Sequence, residues 1–293
     1  MNENLRRALH FTVWTYLASL LVVGIYGWLG GPWKGTGMML LGVGYMFIPA
    51  LVASLLQKFA VKAPIRELGI SFRFNRWFFV AWFLPVFLML ATIGVSLLLP
   101  GVHFSPGMEG LFERFKDTLT PTQIAQMKSQ LAHMPIHPFW LTLLQGLLAG
   151  ITVNAIAAFG EELGWRGFLQ QNLGFLGFWK MSFLIGAIWG IWHAPLILHG
   201  HNYPQHPVLG VGMMTLWTML LGPIFSYVRL KSGSVIAASI LHGTLNGTAG
   251  LAIMLVLGGN DLTVGLTGLA GLIVLALFDL GLFLFDRNPK IQA

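Results

Sequence analysis

The chain is divided into long apolar blocks separated by short polar connections. Eight blocks approach the ~20 residues that a helix needs to cross a bilayer. They run approximately over 10–30, 37–57, 77–99, 139–160, 181–198, 208–228, 233–257 and 262–285. Segments of this length and hydropathy satisfy their backbone groups as helices, so no strand is needed. The expected fold is all-α, a polytopic transmembrane helix bundle of about eight spans in a single integral membrane domain over 1–293. The first block follows Arg6 and Arg7 and is too long for a typical signal-peptide core, so it reads as a retained span.

The polar connections sort by charge. One set holds Arg6, Arg7, Lys58, Lys62, Arg66, Arg73, Arg76, Arg166, Lys180, Arg229, Lys231, Arg287 and Lys290. The alternate set holds only Lys34, Arg114, Lys116 and Lys128. Thirteen against four places both termini in the cytoplasm of a multi-pass protein, expected in the plasma membrane. The longest connection, 100–138, then lies outside. Leu111, Phe112, Phe115, Ile124, Met127 and Leu131 recur among its charges and suggest one or two short amphipathic helices on the outer leaflet.

Composition agrees with this division. Hydrophobic residues make up 56% of 293 and charged residues 9%, against the roughly 25% charged of soluble domains. The net charge of +7 is carried by connections facing anionic lipid, so membrane lipid and not nucleic acid is the expected partner. With no cysteine, thiolate ligands and a cysteine nucleophile are excluded.

Against this background Glu161-Glu162-Leu163-Gly164-Trp165-Arg166 stands out, because charges in or beside a span are costly. Adjacent helical residues point about 100° apart, so the two acids cannot share a face. Glu162 and Arg166 are spaced i,i+4 with the acid first, the better order for an ion pair. Glu161 has Trp165 as its i+4 neighbour and is left free for chemistry. Further on, His193 interrupts one late block, and His242 and Asn246 share one helical face in another. A carboxylate, two imidazoles and an amide on three helices are the groups that activate a water and stabilise an oxyanion.

These three motifs resemble those of the CAAX prenyl protease and bacteriocin-processing (CPBP, Abi) family of intramembrane endopeptidases. Its Glu-Glu-x-x-x-Arg motif is matched by Glu161, Glu162 and Arg166. Its aromatic-x-x-x-His motif is matched by Trp189, where phenylalanine is common, and His193; its His-x-x-x-Asn motif by His242 and Asn246. The motif-bearing core covers about 139–257, and Arg66-Glu67-Leu68-Gly69 is similar to the family's lead-in. The resemblance implies a helical bundle enclosing a cytoplasm-facing catalytic cavity. There Glu161 and His193 activate a water, while His242 and Asn246 hold the oxyanion. It also implies protein or peptide substrates, among them prenylated C-termini and leader-bearing peptides. Glu161, His193 and His242 could equally form a three-ligand site for a divalent metal such as zinc, so the cofactor stays open. The alternative function is a non-enzymatic transporter or immunity scaffold. Matching broken helices in both halves would favour it, but the polar groups are confined to the second half.

Other polar groups are read as bystanders. The 199–206 connection, with His199, His201 and His206, is expected across the membrane from Glu161. Asp279 is expected to pair with an interior donor or to be solvated at the cytoplasmic end. Gly265, Gly268 and Gly271 are expected to allow close helix packing.

Overall fold

The computed structural model describes residues 2–114 and 120–290. Each apolar block carries a helix. Among the described residues five helices are long and apolar enough to cross a membrane: α1 (Glu3–Trp28), α2 (Gly35–Val61), α3 (Arg76–Ser96), α7 (Pro207–Ser232) and α8 (Val235–Met254). Between α3 and α7, α4 (Pro138–Gly150) and α5 (Val153–Leu176) form one apolar pair bent by 51°. The remaining two, α6 (Phe178–Trp192) and α9 (Leu269–Phe285), are apolar but shorter. The eight blocks thus become five long helices, one bent pair and two short helices.

The connection after α3 contains helices Glu109–Arg114 and Pro121–Ala132 among the described residues. Phe115 of the expected amphipathic set and Lys116 of the basic count lie outside the described residues. Strands, not expected anywhere, do occur among the described residues as one short antiparallel pair, His103–Phe104 with Val256–Leu257.

Helix α8 is the centre of the bundle, packing on α3, α4, α5 and α7. Its apolar window is 61% buried inside the protein, against 22% for α1, whose outer face is left for lipid. Small residues allow this. A Cβ on Gly146 of α4 would lie 2.4 Å from the Gly247 carbonyl oxygen of α8. One on Gly243 would lie 2.6 Å from the Ala155 nitrogen of α5. The close approach is locked by Asn154, whose Nδ2 donates to the Gly243 carbonyl at 3.1 Å. Helices α6 and α7 meet in the same way through Gly186, Gly190 and Gly222. The expected packing glycines near the C-terminus serve a different purpose. Cβ atoms on Gly268 and Gly271 would strike the backbone of Val264 and Leu266, so these two fold the turn before α9 onto its own first residues.

The basic connections gather at one end of the bundle. Asn75 Nδ2 donates to the Ser232 carbonyl, Trp179 Nε1 to the Arg287 carbonyl, and Lys231 pairs with Asp286 at 3.2 Å. Arg166 is an exception to the charge count. It is fully buried and paired inside the bundle, so it reports nothing about topology.

The backbone contact at Gly243 sets a stability test. Gly243→Ala should lower thermal stability in detergent by about 1–3 kcal/mol through overpacking. Gly212→Ala, with nothing within 4 Å, should be neutral or stabilising. Equal melting curves for both variants would remove the α5–α8 contact as a determinant.

Candidate active site

The acidic pair sits where α5 changes its winding. Residues Val153–Glu162 are α-helical, and Leu163–Leu169 continue as a π-helix. Such π segments are rare and occur mostly at functional sites. The whole turn from Gly160 to Gln170 is buried.

Glu162 and Arg166 form the expected pair, both wholly buried, with Arg166 Nη1 at 3.1 Å from each carboxylate oxygen. His242 is a third member, its Nδ1 at 2.8 Å from Glu162 Oε1. The guanidinium lies 4.5 Å from the ring centroids of both Trp189 and Phe225. Two aromatic faces therefore surround a cation whose Nε and Nη2 have no hydrogen-bond partner among the described residues.

Glu161 is held differently. Its Oε2 accepts from Trp189 Nε1 at 2.5 Å and from Trp165 Nε1 at 3.4 Å. Charge-assisted bonds of this kind fix a carboxylate in place. As the aromatic of its motif, Trp189 lines the cavity as phenylalanine could. Its N–H makes it a hydrogen-bond donor to Glu161 as well, which phenylalanine cannot be. His193, at the C-terminal cap of α6, has Nδ1 at 2.8 Å from the Trp189 carbonyl. In the neutral ring that bond puts the proton on Nδ1 and leaves Nε2 as an acceptor. Tyr45 of α2 steadies the same segment, donating to the Trp192 carbonyl at 2.7 Å.

Glu161, Trp189, His193, His242 and Asn246 all line one cavity of about 1010 Å³. Asn246 is exposed to it and makes no side-chain hydrogen bond among the described residues. Glu162 and Arg166 lie behind the wall. Among the described residues no three His, Asp or Glu side chains gather to hold a metal. The Nδ1 atoms of His193 and His242 are engaged by the Trp189 carbonyl and Glu162 respectively.

Three placements differ from expectation. The 199–206 connection is not remote from Glu161, since His199 and His201 line the same cavity. Sequence reasoning missed them because it set that connection across the membrane from the acids. The mouth is formed by this connection and by Trp33 and Lys34, at the end opposite the basic connections. Cytoplasmic basic connections and a cytoplasm-facing cavity therefore do not fit together for this mouth. Asp279 is buried, and neither of its oxygens has a hydrogen-bond partner among the described residues.

Residues 131–248 match the model of the Type II CAAX prenyl endopeptidase Rce1-like family. Over this region the chain is similar to the Rce1-like CAAX prenyl endopeptidases. The match encloses Glu161, Glu162, Arg166, Trp189, His193, His242 and Asn246. CAAX prenyl protease 2 of Methanococcus maripaludis is 35% identical over 98 residues, 31% of this chain and 36% of that protein. The matched region thus spans about a third of the length of that relative.

Removing one member of a buried ion pair leaves an uncompensated charge, which commonly costs about 3–5 kcal/mol. Arg166→Met should therefore lower thermal stability by roughly that amount. The double variant Arg166→Met with Glu162→Leu should recover much of it. A single variant as stable as the parent would show that His242 alone suffices for Glu162.

Proposed function

We propose that this chain is an intramembrane endopeptidase that hydrolyses peptide bonds with a glutamate-activated water. The observation that carries this reading is Glu161, a buried carboxylate fixed by two indole N–H groups on the wall of a cavity shared with His193 and Asn246. Its position inside an Rce1-like core supports the same conclusion.

The geometry suggests how the reaction would run. Glu161, with His193 on the wall of the same cavity, takes a proton from water as the oxygen adds to the substrate carbonyl carbon. The carbonyl oxygen becomes an oxyanion, which Asn246 Nδ2 stabilises. His242 joins it when both ring nitrogens are protonated, Nδ1–H donating to Glu162 and Nε2–H turned to the oxyanion. Collapse of the tetrahedral intermediate breaks the C–N bond, and the proton held by Glu161 passes to the leaving amine. Glu162 and Arg166 act from behind by fixing His242. Substrates in this reading are protein or peptide segments, lipidated or leader-bearing, that reach a cavity within the membrane.

Glu161→Gln should lower turnover by about 10² to 10⁴ while folded yield is retained. Asn246→Ala should lower it by about 10² to 10³ with little change in substrate affinity, because an oxyanion donor acts on the transition state. Turnover and affinity on one peptide, measured with both purified variants, check this. Parental turnover in either variant would remove that residue from the mechanism.

Orientation follows from charge. With Arg166 set aside, twelve basic residues still face four, which puts both termini in the cytoplasm and the cavity mouth at the opposite surface. The chain has no cysteine, so single cysteines report cleanly. Lys290→Cys should label with an impermeant reagent only from the cytoplasmic side, and Gln126→Cys only from outside. The reverse pattern would turn the mouth toward the cytoplasm.

A further inference from the structure

The connection between α2 and α3, residues 62–75, takes no part in the peptidase mechanism, yet it is fixed to the bundle along its length. Leu68 is wholly buried. The Glu67 carbonyl accepts from Gln171 Nε2 at 2.6 Å, and the Gly69 carbonyl from the Val235 nitrogen at 2.9 Å. The Ser71 carbonyl accepts from Ser234 Oγ. These bonds tie the connection to α5 and to the start of α8.

Arg229, in the last turn of α7, lies against it. Gly69 has φ of 87°, and a Cβ there would strike Nη2 and Cζ of Arg229. The guanidinium thus takes the space that a side chain at 69 would fill. Its Nε is sealed from water without a hydrogen-bond partner, and among the described residues no carboxylate pairs with it. Lys231, two residues on, has Asp286 at 3.2 Å. Glu67, the one acid of the connection, is exposed and makes no ion pair among the described residues. A charge withdrawn from water and left unanswered is costly, so an anion from outside the protein has something to gain here.

The neighbouring side chains indicate which anion. Arg66 lies three residues before Gly69 and Arg73 four after it, both exposed and unpaired among the described residues. Arg73 stands between Phe72 and Phe74, which are 80% and 65% exposed. Bare aromatics alternating with cations suit the boundary between lipid headgroups and acyl chains. A free phosphate would use the cations and leave both phenylalanines in water.

We propose that Arg229, set against Gly69, is a binding site for the phosphate of an anionic phospholipid. Phe72 and Phe74 hold the connection at the level of the acyl chains. None of these residues lines the cavity, so the site is separate from the one around Glu161 and does not depend on the endopeptidase reading. It is connected to it through α7. Phe225, one turn before Arg229, lies 4.5 Å from the Arg166 guanidinium, so a bound headgroup steadies the helix that walls the buried cation.

The purified full chain is melted in detergent micelles alone and with dioleoylphosphatidylglycerol, dioleoylphosphatidylcholine or inorganic phosphate, and bound lipid is counted by native mass spectrometry. Phosphatidylglycerol should raise the midpoint by at least about 2 °C, and the other two by less than half of that. Arg229→Gln should abolish the gain and weaken phosphatidylglycerol binding at least about tenfold, the worth of one hydrogen bond to a charged group. Without lipid, the same variant should melt no lower than the parent, because it removes a charge that the protein leaves unanswered. A purely structural arginine would give the opposite sign. Lys290→Gln removes an exposed cation elsewhere at the basic end and should keep the full gain. Equal gain from inorganic phosphate would make this a site for the free ion and overturn the lipid assignment. Equal losses in Arg229→Gln and Lys290→Gln would reduce the attraction to diffuse charge and overturn it too. So would an Arg229→Gln variant that keeps the gain, melts lower than the parent without lipid, or fails to fold.

Discussion

A guanidinium sealed from water must be answered by the protein, and the answer given to Arg166 arranges most of the site. One nitrogen reaches Glu162, and the remaining charge is spread over the faces of Trp189 and Phe225. Those two rings come from α6 and α7, while Glu162 and Arg166 come from α5. His242 of α8 completes the group through Glu162. Four helices therefore meet on one buried cation. Because breaking a buried pair is far more destabilising than forming it is stabilising, this arrangement specifies register more than it adds stability.

The rest of the bundle is shaped to let those four helices approach. Gly146, Gly243 and Gly247 bring α8 to backbone contact with α4 and α5, and Gly186, Gly190 and Gly222 do the same between α6 and α7. Close approach on one side leaves space on the other. The cavity lies between α2 and α8, where Met39, Val43, Leu245 and Asn246 line it. A cavity in a membrane protein is where polar side chains can avoid lipid, and every polar motif residue is either on its wall or directly behind it.

The sequence made much of this legible, and the reasons differ by feature. Helix positions followed from hydropathy because the bilayer imposes length and backbone satisfaction on every span. The Glu162–Arg166 pair followed from i,i+4 spacing, a local rule that survives even where the winding turns to π, whereas Glu161, expected to be free, accepts from its i+4 neighbour Trp165. What could not be read was long-range. The bend between α4 and α5 depends on how both pack against α8. The tie between Glu162 and His242 joins residues 80 positions apart. Reading the 199–206 connection as remote assumed straight spans, whereas α6 is short and ends near the site, at His193. Asp279 remains without a hydrogen-bond partner among the described residues, and nothing in the packing around α9 explains it.

Trp189 shows how much can hang on one atom of a side chain. As an aromatic it walls the cavity, and phenylalanine would do that equally well. The indole does two further things at once. Its edge donates to Glu161, while its face takes the charge of Arg166. The two adjacent acids, which helix geometry turns to different faces, are thereby connected again through a residue on another helix. Glu161 is held by the same ring that helps neutralise the partner of Glu162. Any shift of Arg166 would move Trp189, and with it the hydrogen bond that fixes Glu161. The acid proposed for chemistry and the acid assigned to structure are mechanically one unit, with the indole as the link.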